Sequence, residues 1–442
     1  MSAGMDQAMK RLDGPRLARP HVLALALGTA LLAAAPATPG PPPQSPSRAA
    51  LDFHKRALVV DGHVHLINAV FNQGIDPWKP QETGTFDYAR AAKGGLDVVV
   101  EQLYIEDAYN RYNYTTKQAC RLIETFYRVA EMHHDRMELA RTSADVRRIV
   151  ASGKLAVILA LEGGFDMEGD LDVLRLFHRL GVRMVQLTNH ETTNAMVDGP
   201  LRPRWGGLSD HGREVIREMN RLGIVIDISH ASDEAKSQII AASRAPVVTS
   251  HNGLRHFAEQ LGGLTDATLD ALAARGGVMG LHSAGWLIDQ KAMEWDRTWH
   301  SGQPRREPLP PLVLDPEATD RRFITELDAR MRVRWLEQWG YGRPWRKNQQ
   351  EVVDAGAPLP TVERWAEQVE WVVRRVGPEH IGLGLDLMAG GNWLRDFDAT
   401  SYPRLTAALQ ARGLGPEVLH KVLGENWLRV LDAARVDPDR RR

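Results

Sequence analysis

The stretch that decides the fold runs from Leu222 to Asn252 and reads LGIVIDISHASDEAKSQIIAASRAPVVTSHN. It contains two short apolar runs rich in β-branched residues, IVIDIS and APVVTS, separated by about the length of one helix. This arrangement is typical of two parallel strands joined by a crossover helix. His230 follows the first run and His251 follows the second. Both imidazoles are therefore expected at the carboxyl edge of one sheet, where (β/α) barrels position their reactive groups.

The same alternation of strands and helices extends along the chain and predicts eight strands in all. The other six are ALVVDGHVHL, LDVVVEQLYI, KLAVILALEGG, VRMVQLTNH, GGVMGLHSAG and IGLGLD. Eight strands alternating with helices predict a (β/α)8 TIM barrel of the α/β class, with a doubly wound open sheet as the alternative. The barrel accounts better for the polar residues that follow nearly every strand, because all eight strand ends then face one mouth.

One region interrupts this alternation. Residues 285–358, after the seventh predicted strand, contain half of the twelve tryptophans of the chain. The composition predicts an inserted helical subdomain with a small core of its own. Long insertions in barrel loops also serve as lids or dimer surfaces over the barrel mouth, and the two interpretations are compatible.

The N-terminal segment has the layout of a secretory signal peptide, predicted at 1–37. Basic residues precede the apolar run VLALALGTALLAAA, and a small-residue cleavage pattern lies near Ala37. We therefore expect a secreted or periplasmic protein, with an uncleaved membrane anchor as the alternative. A proline-rich linker at 38–52 is predicted to lead into the barrel domain at 53–436.

Composition excludes several classes of function. The 442-residue chain has a formal net charge of −1, which gives no electrostatic basis for binding nucleic acid or an anionic membrane. Cys120 is the only cysteine, so neither an intrachain disulfide nor a thiolate metal cluster is possible. Sixteen histidines supply imidazole ligands instead.

Six residues that can bind metal ions or protons follow the predicted strands. They are His63, His65, Glu162, His230, His251 and Asp386. Four imidazoles and a carboxylate suit Zn²⁺ better than calcium or magnesium. Five ligands exceed what one catalytic zinc takes, so we expect two zinc ions per chain, about 3.5–4 Å apart and bridged by Glu162. Asp386 is then available as a general base toward a water between the ions.

Several blocks of the chain resemble successive blocks of the membrane (renal) dipeptidase family, which belongs to the amidohydrolase superfamily. They are VVDGHVHL, LEGG, GLSDHGREVIREMNRLGIVIDISHAS, APVVTSHNGLR, LTDATLDALAARGGVMGL, PEHIGLGLD and VLGENWLRVL. The resemblance implies a (β/α)8 di-zinc hydrolase of dipeptides and related amides. It also implies that His63, Glu162, His230 and His251 are metal ligands, with Glu162 bridging, and that Asp386 is the aspartate after the eighth strand.

The chain departs from the family pattern at three positions. His65 stands where the family usually has an aspartate ligand, and an imidazole can take that place. Asn189, followed by His190, stands where the family has a histidine that contacts the scissile region. Gly262 stands where the family has an arginine for the substrate carboxylate, and Arg255 is a nearby cation that could compensate. We therefore expect Asn189, His190 and Arg255 to contact substrate.

The sequence thus predicts a zinc-dependent hydrolase of dipeptides or related small amides, with a metal-bridging water as nucleophile. Its expected partner is a small-molecule substrate, and a homodimer is possible. A lactonase or another esterase of the amidohydrolase superfamily is the first alternative. A non-catalytic metal-binding barrel is the second, although it would leave Asp386 without an evident role.

Overall fold

The computed structural model describes residues 45–106, 109, 114–163, 170–189, 192–302, 320–338, 340–387, 391 and 393–435. The predicted signal peptide, 1–37, lies outside these residues, as do most of the predicted linker and His190. Among the described helices, none combines the length and the apolar character needed to cross a bilayer.

The described residues include nine strands, all paired in parallel. They are β1 Val60–Val64, β2 Val98–Tyr104, β3 Met137–Leu139, β4 Leu155–Glu162, β5 Val182–Gln186, β6 Val225–Asp227, β7 Val248–Asn252, β8 Val278–Leu281 and β9 Ile381–Leu383. Eight of them close a barrel in the order β1-β2-β4-β5-β6-β7-β8-β9, because β9 also pairs with β1. The predicted (β/α)8 barrel is confirmed. The unpredicted β3 pairs with the first half of β4, whereas β5 pairs with the second half.

Helices surround this barrel and cover its outer face. They are α1 Arg48–His54, α2 Leu66–Gln73, α3 Tyr88–Lys93, α4 Thr115–Met132, α5 Ser143–Ala151, α6 Leu171–Arg179, α7 Asp210–Leu222, α8 Asp233–Ala242, α9 Asp266–Ala274, α10 Gly285–Ile288, α11 Gln290–Gly302, α12 Asp320–Gln338, α13 Trp345–Asp354, α14 Val362–Val376, α15 Tyr402–Ala411, α16 Pro416–His420 and α17 Asn426–Arg435. Between α16 and α17 lies a π-helical turn at Lys421–Glu425.

The stretch that decides the fold forms β6, α8 and β7, as its pattern predicts. Ser232 begins α8, because its side chain accepts a hydrogen bond from the Ala235 N–H. At the other end of the chain the structure differs from the prediction. Helix α1 begins inside the predicted linker, where Ser47 caps it and Ala50 is buried. The folded domain therefore starts earlier than residue 53.

Alternate residues of a strand point to the same face, so the inward-facing residues of the eight strands form layers inside the barrel. These layers differ in polarity. The layer farthest from the mouth is apolar and contains Val60, Val98, Ile158, Val225, Val248 and Val278. Further along the strands come the buried polar residues Gln102, Gln186, Asp227 and Ser250. Glu162 ends β4 at the mouth. The strand sequences therefore place apolar residues at the closed end of the barrel and polar residues at its mouth.

Helix α17 closes the end of the barrel opposite the mouth with the indole of Trp427. This side chain is buried, and its Nε1–H donates to the carbonyl of Leu383 at 3.1 Å. Gly62 and Gly382 make room for the ring, since a methyl group at either position would overlap it. The floor of the barrel therefore depends on glycines in two neighbouring strands.

The described part of the predicted insertion, 285–358, is helical and comprises α10 to α13. Trp335 in α12 and Trp345 in α13 are buried, and Trp335 stacks on Tyr341 with 5.2 Å between ring centroids. An ion pair holds α12 to α4, because an Arg121 guanidinium nitrogen lies 2.9 Å from a carboxylate oxygen of Asp328. The insertion therefore packs on the barrel as well as on itself.

Candidate metal centre

The predicted metal ligands converge at the barrel mouth around the carboxylate of Glu162. The Nε2 atoms of His63 and His65 lie 2.9 Å apart, and they stand 3.2 and 3.1 Å from Glu162 Oε2. On the other side, the Nε2 atoms of His230 and His251 lie 3.0 Å apart, and His230 Nε2 is 3.6 Å from Glu162 Oε1. Each oxygen of one buried carboxylate thus faces its own pair of imidazoles.

This arrangement fits metal cations better than it fits hydrogen bonding among the side chains. Within the described chain, Glu162 Oε2 is buried and has no hydrogen-bond partner. His65 Nδ1 lies 2.8 Å from the carbonyl oxygen of Gln102, so this nitrogen must be the donor. The remaining nitrogen of a neutral His65 then directs its lone pair toward Glu162. Nitrogen lone pairs and carboxylate oxygens that share one focus are the ligand set of a zinc-like ion.

The pKa values of the same groups show that the site favours positive charge. Burial opposes ionisation of Glu162, but the imidazoles of His63 and His65 hold its pKa well below the usual value. Burial likewise opposes a charge on His65, yet Glu162 and Asp386 raise its pKa to about 9. By contrast, burial and the neighbouring imidazoles hold the pKa of His251 well below normal, which keeps that ring neutral. Neutral imidazole is the form that binds metal.

Two residues of the cluster have strained backbones. His230 has φ of 62° and Asp386 has φ of 49°. Residues other than glycine seldom adopt this left-handed region, and such strain costs on the order of 1–3 kcal/mol per residue. Both residues lie three positions past the end of a barrel strand, where the left-handed turn redirects their side chains toward the cluster.

A cavity of about 200 Å³ opens over the cluster. Outside the cluster its walls include Tyr104, Leu261, Gly262, Trp286, Leu287, Trp335 and Trp393. The predicted insertion supplies Trp286, Leu287 and Trp335, so it covers part of the barrel mouth as the lid interpretation expects. Of the described residues that line this cavity, none is a lysine or an arginine.

The sequence matches the membrane dipeptidase family (peptidase family M19) over residues 47–439. The chain belongs to this family. It is a metal-dependent peptidase, and family membership confirms the predicted resemblance and favours an enzyme over the non-catalytic alternative.

Among its curated relatives, dipeptidase tcpJ of Claviceps purpurea is 28% identical over 387 residues, which span 84% of this chain and 76% of the relative. Dipeptidase 3 of Rattus norvegicus is 40% identical over 143 residues, 31% of this chain and 29% of the relative.

Solved structures show the same fold at low sequence identity. The probable dipeptidase PvdM of Pseudomonas aeruginosa is 21% identical, with a TM-score of 0.67 over 88% of this chain and 98% of that one. A metallopeptidase of Rhodobacter sphaeroides, liganded with a phosphinate mimic of the dipeptide L-Ala-D-Ala, is 21% identical, with a TM-score of 0.64 over 86% and 99% of the two chains.

In this member of the dipeptidase family, His282 is a site residue to which the sequence analysis gave no role. Its Nε2 lies 3.2 Å from Asp386 Oδ2, and its Nδ1 accepts a hydrogen bond from the Ala284 N–H at 2.9 Å. Burial lowers the pKa of His282, which favours the neutral ring. With Nδ1 as acceptor, the proton of the neutral ring is on Nε2 and is donated to Asp386. The signal that could have revealed His282 is its position directly after a barrel strand.

The bond from His282 fixes one oxygen of Asp386 and leaves the other facing the cluster. Asp386 Oδ1 lies 3.4 Å from His65 Nε2 and has no hydrogen-bond partner among the described residues. The imidazoles around Asp386, His282 first, outweigh the effect of burial and hold its pKa well below the usual value. The carboxylate is therefore ionised and able to accept a proton.

The structure does not place the predicted substrate contacts Asn189 and Arg255 at the cavity. Asn189 is buried, and its amide donates to the carbonyls of Ile105 and Gly163 at 3.1 and 2.7 Å, which ties together the ends of β2 and β4. The Arg255 guanidinium makes two hydrogen bonds to Asp233, 2.8 and 3.0 Å long. Both side chains therefore have partners within the protein, and the substrate roles of Asn189 and Arg255 stay predictions. The third predicted contact, His190, lies outside the described residues.

We therefore predict that Arg255→Ala leaves the KM for dipeptides unchanged within about twofold, because the guanidinium is bound to Asp233 in a half-exposed ion pair. Asp233→Ala removes the same pair from the other side and serves as the matched control. Steady-state kinetics on a free dipeptide and on its C-terminal amide test the prediction. An increase of about tenfold in KM that is confined to the free dipeptide, and is seen only with Arg255→Ala, would support the carboxylate-binding role.

Proposed function

We propose that this protein is a two-zinc hydrolase that cleaves dipeptides or related small amides with an activated water. The observation that supports the proposal most directly is the position of Glu162, whose two oxygens each face one pair of imidazoles. A carboxylate in that position has the geometry of a bridge between two ions. His63 and His65 would hold one ion, and His230 and His251 the other.

The donor set supports zinc as the metal. Four imidazoles and one bridging carboxylate are borderline ligands, whereas a magnesium or calcium site would consist mainly of oxygen. When bound, a pair of such ions supplies a water of lowered pKa and polarises the substrate carbonyl. The remaining steps depend on side chains of this chain.

Asp386 is the group proposed to move the proton. Its Oδ1 faces the cluster and lacks a partner among the described residues, while His282 holds Oδ2. As the water oxygen bonds to the carbonyl carbon, Asp386 accepts the water proton. When the C–N bond breaks, the same carboxyl returns that proton to the leaving nitrogen, so the products are a carboxylic acid and an amine. His282 acts as a positioning residue, because it keeps Asp386 from rotating away.

The lactonase or esterase alternative would use the same cluster and the same proton acceptor. The comparisons give it no support, since the curated relatives reported above bear the name dipeptidase. Amide hydrolysis also requires protonation of a nitrogen leaving group, which explains why a separate carboxylate stands beside the metal ligands.

Two measurements on purified protein test the proposal. The wild type is expected to contain two zinc ions per chain and to lose dipeptide turnover on chelation, with recovery on adding zinc. Asp386→Asn is expected to lower kcat by about 10²–10⁴ while retaining both ions, because the amide cannot accept the proton.

Asp172→Asn, an exposed change on α6, is the matched control and should keep full activity. Wild-type protein with metal content near zero, or an Asp386→Asn variant with unreduced kcat, would contradict the proposal.

A further inference from the structure

The outer half of the cavity contains an aromatic wall attached to the reaction centre. Trp286 and Trp393 meet edge to face, with ring centroids 4.8 Å apart and an interplanar angle of 88°. The Trp393 Nε1–H donates to the backbone carbonyl of Asp386 at 3.1 Å, and the Trp286 ring lies 6.4 Å from that of His282. The wall formed by Trp286 and Trp393 is therefore fixed relative to Asp386, the proposed proton acceptor.

The other walls outside the cluster are uncharged, and Asn252 and Gln260 add two neutral amides to them. Leu261 and Leu287 line the cavity together with Trp335, which α12 brings from the insertion. The charged groups among the described lining residues, Glu162 and Asp386, both belong to the cluster. A bulky uncharged group can thus contact apolar surface in the outer cavity, whereas an anionic side chain there would lose hydration without meeting a lysine or an arginine.

We infer that this cavity selects substrates with a large apolar side chain, above all an aromatic one, on the residue that leaves as the amine. The inference rests on the proposed function, because Asp386 returns the proton to that amine and the Trp286–Trp393 wall lies beside Asp386. The cavity volume of about 200 Å³ is below the about 300–1,000 Å³ of sites for drug-sized ligands, which limits the substrate to a molecule of dipeptide size. Aromatic rings pack edge to face on such walls.

Kinetics with the zinc-loaded full chain test the inference on three dipeptides, Ala-Phe, Ala-Ala and Ala-Asp. We expect kcat/KM for Ala-Phe to exceed that for Ala-Ala by about tenfold or more, with Ala-Asp poorest. Trp286→Ala should bring the ratio of kcat/KM for Ala-Phe to kcat/KM for Ala-Ala close to one. Trp299→Ala, a change in the same insertion but away from the cavity, should alter kcat/KM for neither Ala-Phe nor Ala-Ala. The Tm of Trp286→Ala and of the milder variant Trp286→Leu shows whether a folding defect causes the loss.

Equal kcat/KM for Ala-Asp and Ala-Phe in the wild type, or an equal loss of kcat/KM on both Ala-Phe and Ala-Ala in Trp286→Ala, would overturn the inference.

Calorimetric binding of N-acetyl-phenylalaninamide separates the inference from the proposed function. If no dipeptide is cleaved but this amide binds and Trp286→Ala weakens binding about tenfold, the subsite stands and the hydrolase proposal fails. If the amide binds no better than N-acetyl-aspartate amide, the subsite is refuted.

A second, independent observation concerns the hydroxyl of Ser250, which is fully buried beneath the cluster. Its Oγ lies 2.7 Å from His63 Nδ1 and 3.1 Å from His251 Nδ1. A neutral imidazole that binds metal through Nε2 carries its proton on Nδ1, so both rings donate to this oxygen. His63 belongs to one imidazole pair and His251 to the other. One hydroxyl therefore orients a ligand of each proposed ion.

The Asp227 carboxylate lies beside Ser250 and is the candidate acceptor for its hydroxyl proton. The two rings occupy both lone pairs of the Ser250 oxygen, so its own hydrogen must be donated. Asp227 Oδ1 already accepts from the N–H groups of Ser229 and Ser250, at 2.9 and 3.0 Å, while Oδ2 is buried without a partner among the described residues. Burial raises the pKa of the Asp227 carboxyl, and the Ser250 hydroxyl opposes that rise.

We propose that Ser250, held by Asp227, is a positioning residue shared by both ion sites. In this role Ser250 differs from a direct metal ligand, because loss of a ligand would first weaken the binding of one ion. Ser250→Ala is expected to weaken zinc binding at both sites, by about 10–100-fold each, in competition with a chromophoric chelator. Thr249→Val is the matched control, because this neighbouring buried hydroxyl has no hydrogen-bond partner within the described chain.

The Tm of the metal-free variants shows whether Ser250→Ala folds, and Ser250→Thr, which keeps a hydroxyl, should recover part of the affinity. Unchanged affinity in Ser250→Ala, or loss at one site only, would overturn this proposal. A wild type that binds no zinc would overturn it together with the proposed function.

Discussion

The structure depends on one constraint, the burial of the Glu162 carboxylate between two pairs of imidazoles. A buried anion with an unpaired oxygen is costly unless positive charge compensates it, and hydrogen bonds from the protein do not supply that charge here. The raised pKa of His65 and the lowered pKa of Glu162 have the same cause, the attraction between the buried carboxylate and positive charge on the imidazoles. Protons on the imidazoles can supply this positive charge, and so can the metal ions proposed above.

The barrel makes this concentration of polar groups tolerable. Parallel strands bring residues that are far apart in sequence to one rim, while the apolar layer and Trp427 stabilise the opposite end. The rim itself is strained at His230 and Asp386, and burial opposes the ionisation of its carboxylates. Burial elsewhere in the domain must offset these costs, which is a common relation between stability and active sites.

The sequence predicted the parts of the site that strand register determines. His63, His65, Glu162 and His251 lie in or directly after a barrel strand, and the period of two along a strand fixes which way they face. His230 follows its strand by three residues, and a left-handed turn directs it. The sequence does not show partners that come from elsewhere in the chain. Whether the Arg255 guanidinium reaches the cavity depends on Asp233, and linear proximity to Gly262 does not reveal that pair.

The misses in the fold have similar physical causes. Strand β3 has the sequence MEL and lacks the longer apolar run that contains the equally short β6 and β9. The proline-rich neighbourhood of α1 hides the cap that Ser47 provides. The tryptophan content of the insertion indicated a core or a lid but could not show which rings face the cavity. That distinction depends on packing, since Trp335 lines the cavity and Trp345 does not.

X-ray diffraction from crystals of the zinc-loaded protein, collected at the zinc absorption edge, tests whether Glu162 bridges two ions. We expect two anomalous peaks about 3.5–4 Å apart, one beside His63 and His65 and the other beside His230 and His251, with Glu162 between them. A single peak, or two peaks that leave Glu162 without a contact to either ion, would contradict the proposed bridge.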